Sequence, residues 1–213
     1  MIFTELFLSA FAMLFVVIDP PGCAPIYAGL TKGASAAQQR SMAIRACLIA
    51  GVILVIFALF GEDLLNALHI ELDSFRIAGG IMLFVIALDM VFEKRTQRRE
   101  QRAEKVVADH AGKPEVDDVS VFPMAMPMLA GPGAIASVML LTSKAQGLEN
   151  TLVVLSALGT VLLLTLLALI AASPLMRLFG ARVEAVITRL LGVLLAALAA
   201  QYVIDGLKGS FGL

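Results

Sequence analysis

Phe15-Val16-Val17-Ile18-Asp19-Pro20-Pro21-Gly22-Cys23-Ala24-Pro25 decides how the chain is read, because it sets a carboxylate and three prolines inside an apolar stretch. A proline inside a helix removes one backbone hydrogen bond and collides with the preceding turn. In hydrocarbon the freed groups must be satisfied by neighbouring protein or by a water-filled cavity, so an interruption there marks a built feature. The second half of the chain repeats the device. Phe122-Pro123-Met124-Ala125-Met126-Pro127-Met128-Leu129-Ala130-Gly131-Pro132-Gly133-Ala134-Ile135 carries three prolines and two glycines where an ordinary span would be rich in leucine. Interruptions at matching places in two halves are the best sequence pointer to a transporter's binding site near the bilayer midplane.

Composition agrees with a membrane setting. Of 213 residues 60% are hydrophobic and only 15% charged, with mean hydropathy +0.93, more than a soluble core needs. Six stretches of roughly span length stand out, at 5–31 (broken), 42–60, 75–92, 121–142 (broken), 151–172 and 184–206. A helix needs about 20 apolar residues to cross the hydrocarbon, and strand-like alternation is absent. Met1-Ile2-Phe3-Thr4-Glu5 lacks the basic flank and cleavage site of a signal peptide, so the first span is expected to stay in the mature protein.

The two halves can be laid on one another. Arg76-Ile77-Ala78-Gly79 is echoed by Arg189-Leu190-Leu191-Gly192, 113 positions later, and Pro21-Gly22 by Pro132-Gly133, 111 positions later. Three spans per half is an odd number, so the second copy must enter the membrane from the opposite side. The expected fold is therefore an all-α membrane protein whose six transmembrane helices form two inverted three-helix repeats with broken first and fourth helices. The expected units are 1–93, a cytoplasmic charged linker at 94–120, and 121–213. In the linker, basic and acidic residues are mixed, which argues against a nucleic-acid surface and for a solvated helical extension that frays near Gly112-Lys113-Pro114.

Net charge is only −1, but the placement of lysine and arginine is strongly one-sided. Thirteen of the 16 fall in the first, third and fifth loops, among them Lys32, Arg40, Arg45, Arg98, Arg177 and Arg182. The opposite side keeps Arg76, Lys144 and Lys208. Basic excess marks the cytoplasmic side, so both termini are expected to face outward.

Asp19 sits at the first break. A charge at that depth is costly and by default functional, and an aspartate before Pro20 can also cap a half-helix, so the two roles stand side by side. At the second break, a half-helix starting near Gly133 would aim backbone N–H groups and a positive dipole end at an anionic group such as a carboxylate; the glycines could equally serve close helix packing. Asp89, Gln201 and Asp205 read as interfacial, and Arg76 and Arg189 as snorkelling stems or cross-links between the halves. Cys23 and Cys47 read as small hydrophobes, and the methionines at 124, 126 and 128 as adaptable packing. With His69 and His110 both in loops, a histidine-based metal centre within the membrane is excluded on inventory.

The same motifs, with Val183-Glu184-Ala185-Val186-Ile187-Thr188-Arg189 beside them, make the chain similar to the MarC / neutral amino acid transporter family of bacterial inner-membrane proteins. The resemblance implies a multi-pass inner (plasma) membrane protein and, for some relatives, uptake of small neutral amino acids such as glycine and alanine coupled to a cation gradient. The expected function is thus secondary transport driven by H⁺ or Na⁺, with no cofactor, and with the lipid bilayer and a small-molecule substrate as partners. The expected substrate-binding residues are Asp19, Pro20, Pro21, Gly22, Ala130, Gly131, Pro132, Gly133 and Ala134. The competing expectation is a non-transporting membrane scaffold or assembly factor. An enzyme is not expected, since no serine–histidine pairing lies in the spans.

Overall fold

The computed structural model describes residues 2–92, 118–145 and 147–212, and for residues 2, 173 and 175–184 the backbone alone. The linker read at 94–120 lies outside the described residues apart from 118–120, and so does its expected fraying point.

Helices α1 (Ile2–Ile18) and α2 (Pro20–Leu30) are separated by Asp19 alone. The break in the first span is this one residue, because a proline costs little in the first turn of a helix, where its N–H has no partner in any case. Pro20, Pro21 and Gly22 therefore begin α2. Helix α3 (Ala36–Ala67) opens on a capping box in which Gln38 N donates to Ser35 Oγ and Ser35 N donates to Gln38 Oε1. Its 32 residues rise about 48 Å, more than the hydrocarbon thickness of about 30 Å. Helix α4 (Leu72–Val91) completes the first half.

The fourth span differs in kind from the first. Ser120–Leu129 is wound irregularly, with extended backbone at Phe122 (φ −125, ψ 129) and Met126 (φ −130, ψ 123). Each precedes a proline, whose ring pushes the preceding residue out of the helical region. Helix α5 (Pro132–Lys144) then leaves at 53° to that segment. Helices α6 (Leu148–Ile170) and α7 (Ala172–Phe211) follow. The stretch read as a fifth loop is helical and belongs to the start of α7.

Among the described residues five helical spans are long and apolar enough to cross a membrane, or six when the bent pair Ser120–Leu129 with Pro132–Lys144 is taken as one span. Among the described residues there is no strand. Large apolar side chains such as Leu48, Val52, Leu163 and Val193 point outward, which suits lipid. The buried interior holds Leu14, Tyr27, Leu83, Met124, Leu140 and Leu158.

Helix α4 lies along α7 in the most extensive pairing of the fold. Small residues let the two backbones meet, as is usual between membrane helices. A methyl on Gly80 would stand 2.9 Å from Ala199 O and 2.8 Å from Val203 Cγ2; one on Gly192 would stand 3.1 Å from both Ala87 O and Val91 Cγ2. Around this pair, α1 and α2 pack on α6, Ser120–Leu129 and α5 pack on α3, α2 touches α7 and α5 touches α4.

Candidate functional site

Asp19 is 1% exposed, deep within the first span. Its backbone adopts φ 60, ψ 65, a left-handed conformation that aspartate tolerates better than most residues and that costs about 1–3 kcal/mol. Local bonds offset this. Asp19 N donates to Phe15 O at 2.9 Å, Cys23 N donates to Asp19 O at 3.0 Å, and Gly22 N donates to Asp19 Oδ1 at 3.1 Å. A Cβ at position 22 would overlap the Asp19 carboxylate, so any larger residue there would displace that group from its cap. The Cys23 thiol donates to Ile18 O at 3.4 Å, serving a carbonyl freed by the break. Cys23 is therefore more than the small hydrophobe expected from sequence. From the last span, Thr188 Oγ1 reaches Asp19 Oδ1 at 3.5 Å.

At the second break Gly131 is extended (φ −77, ψ 170) and precedes Pro132, the first residue of α5. A Cβ on Gly131 would overlap Pro127 O. No side chain caps this helix end, so the backbone N–H groups at Gly133 and Ala134 keep their capacity for an anionic ligand. Gly133 O accepts from Ser137 Oγ at 2.7 Å. Ala130 and Ala134 are buried. Gly133 is closely covered: a Cβ there would overlap Ile86 Cδ1 of α4 and lie 3.4 Å from Val17 Cγ1 of α1.

The structure thus brings the two breaks together through Val17, two residues before Asp19, against Gly133. Three elements missed by sequence reading complete the surroundings. Thr188 and Cys23 stand within the motifs that carry the family resemblance, which gave them no role at Asp19, and Ile86 offered no signal at all.

A second polar cluster occupies the end of the bundle where α4 begins and α7 nears its end. Arg76 Nη1 meets Asp73 Oδ1 at 2.7 Å, and Lys144 Nζ meets Asp205 Oδ2 at 2.9 Å. Gln201 Nε2 donates to Asp205 Oδ1 at 2.7 Å. Lys144 Nζ also stands 4.5 Å above the Tyr202 ring, and Tyr202 OH donates to Met13 Sδ of α1 at 3.3 Å. Asp205 is therefore a paired, partly exposed group that ties α5 to α7. At the other end Arg45 Nη1 meets Asp118 Oδ2 at 2.6 Å. Partial desolvation pushes the Asp118 carboxyl up, but the Ser120 hydroxyl and N–H together with Arg45 outweigh it and hold the pKa below the usual carboxylate value.

A family model described as MarC family integral membrane protein matches residues 4–211. The chain belongs to this family. Among MarC relatives, a UPF0056 membrane protein of Methanocaldococcus jannaschii is 33% identical over 206 residues, covering 97% of this chain and 98% of its own. The UPF0056 membrane protein YvbG of Bacillus subtilis is 33% identical, covering 94% and 93%. The UPF0056 inner membrane protein YhgN of Escherichia coli is 30% identical, covering 94% and 95%. No solved structure matches the chain.

Proposed function

We propose that this MarC protein is a secondary transporter of the inner (plasma) membrane that moves small neutral amino acids of the glycine and alanine type, coupled to H⁺ or Na⁺, with both termini outward and no enzymatic step. The observation that carries the reading is the buried Asp19 carboxylate at a helix break that packs, through Val17, against the uncapped start of a second half-helix. An ionisable group is retained at such depth for a reason. In this reading the N–H groups at Gly133 and Ala134 receive the substrate carboxylate, and Asp19 attracts the ammonium or the coupling cation. Pro20, Pro21 and Gly22 start one half-helix, and Ala130 and Gly131 lead into the other, which Pro132 starts.

The inverted-repeat arrangement belongs to the same proposal. Its support is the reciprocity of packing. Moving 112 positions along the chain takes Gly80, Ala87 and Val91 to Gly192, Ala199 and Val203, and each glycine meets the alanine carbonyl and the valine of the opposite helix. An in-plane pseudo-twofold produces such exchanged contacts. Alternating access would follow from rocking one repeat on the other, with Ile86 leaving Gly133 to admit the substrate and the Lys144–Asp205 pair opening on the far side.

A thermal-stability panel tests this reading, since a ligand that binds only the folded state raises apparent stability. Glycine and alanine are expected to raise the unfolding temperature of the purified protein, while organic anions without an amino group leave it unchanged. No shift with any neutral amino acid, with or without Na⁺, would favour a scaffold.

A further inference from the structure

Helices α3 and α6 enclose a groove of about 550 Å³ on the outside of the bundle, lined by Ile44, Cys47, Gly51, Val55, Leu162 and Leu166. Gly51 makes its floor by close approach: a methyl there would stand 3.2 Å from Leu162 Cδ1. Leu48 and Val52 form an exposed rim, at 63% and 60% exposure. The walls are apolar along their length, and the charge lies at one end. Arg40 is exposed one helical turn before Ile44, and Arg40, Ile44, Cys47, Gly51 and Val55 recur at spacings of three or four, so they form one stripe of α3. Arg45, paired with Asp118, flanks the same end.

Dimensions decide among occupants. The lined stretch of α3 runs from Ile44 to Ile56 and rises about 18 Å. One leaflet is half of the hydrocarbon core, roughly 15 Å. Over that length the groove, about 550 Å³ in volume, is long and shallow, the shape of one extended hydrocarbon chain. The apolar walls suit a hydrocarbon chain, and the exposed Arg40 on the same stripe, one turn beyond the groove's end, supplies a positive charge for a headgroup phosphate.

We propose that the α3–α6 groove binds a single anionic phospholipid from the leaflet on the arginine-rich side, with its phosphate at Arg40 and one acyl chain along Gly51. This stands apart from whatever the broken helices carry. A basic residue at headgroup level draws anionic lipid electrostatically, while the chain gains burial on an otherwise exposed apolar wall.

Native mass spectrometry of the intact protein, supplied with phosphatidylglycerol and phosphatidylethanolamine of identical chains, tests the proposal together with a phosphatidylglycerol carrying a photoreactive acyl chain. Wild type is expected to retain one phosphatidylglycerol in preference, and the photoadducts to fall within 44–56 and 162–166. Arg40→Gln should lower that preference about fivefold without changing the adduct positions. Gly51→Leu should reduce retention of both lipids; Leu48→Trp, placed at the exposed rim, checks the same point without straining the helix contact. Equal retention of the two lipids by wild type, an Arg40→Gln variant indistinguishable from it, or adducts scattered over the other helices would each overturn the proposal. So would a dimer that a Leu48→Cys disulfide traps in the membrane, since a second copy would then fill the groove.

Discussion

Thr188 and Asp19 stand 169 positions apart in the chain, yet the threonine hydroxyl lies 3.5 Å from the buried carboxylate. The contact joins the last span to the break in the first, so movement of α7 is felt at Asp19. Thr188→Val keeps the shape and removes the hydroxyl. Its expected cost is about 1 kcal/mol in stability, read by thermal unfolding in detergent, with a change in the apparent affinity for substrate larger than the change in maximal uptake rate.

Gly80 and Gly192 offer a test of the repeat. Each meets backbone of the opposite helix, where little can yield. Gly80→Val and Gly192→Val are each expected to destabilise by about 1–3 kcal/mol through overpacking, and by similar amounts. The thermal transitions of the two variants check this; a large loss in one and none in the other would speak against reciprocal packing.

The Lys144–Asp205 pair is partly exposed, with the two side chains at 40% and 30%. Its loss by Asp205→Asn is therefore expected to cost no more than about 1 kcal/mol. Such a bias still moves a two-state equilibrium about fivefold. Met13 is buried beneath Tyr202 in the structure. In a background with Cys23 and Cys47 replaced by alanine, a Met13→Cys thiol should react faster with an impermeant reagent when Asp205→Asn is present.

Asp118 gives a pH prediction with a definite sign. Its folded pKa lies below the usual carboxylate value, which is about 3.9 in an unfolded chain. The tie to Arg45 therefore stabilises fully above that value and is lost as pH falls through the depressed folded pKa. The difference in unfolding temperature between wild type and Asp118→Asn should be constant from neutral pH to about 5, begin to shrink near 4 and vanish only below the depressed folded pKa. Because the pair is exposed, the difference should stay small.

The span pattern was legible because hydrocarbon leaves few options: long apolar runs must be helices, and breaks need a reason. Asp19, Gly22 and Gly131 were legible for the same cause, since a proline or a carboxylate has no neutral place in a span. The fine geometry was not. Whether Pro20 to Gly22 unwinds or starts a helix depends on one residue, Asp19, accepting a left-handed backbone and capping Gly22 N. The long irregular run Ser120–Leu129 depends on the residue before each of two prolines. Thr188, Ile86 and Lys144 act across the fold, and no local pattern signals a partner that only packing brings near. The connection between the last two spans is helical because charged residues interrupt hydropathy without interrupting a helix.

The central claim is that the Asp19 carboxylate does more than cap α2. Asparagine tolerates the left-handed backbone and keeps a side-chain oxygen for Gly22 N, so Asp19→Asn removes the charge and preserves the cap. Uptake of radiolabelled glycine and alanine into proteoliposomes, under an imposed pH or Na⁺ gradient and at several pH values, separates the two roles. The account predicts gradient-driven uptake by wild type and background uptake by Asp19→Asn at an unchanged unfolding temperature. Full uptake by Asp19→Asn at every pH, or no gradient-driven uptake by wild type, would contradict it.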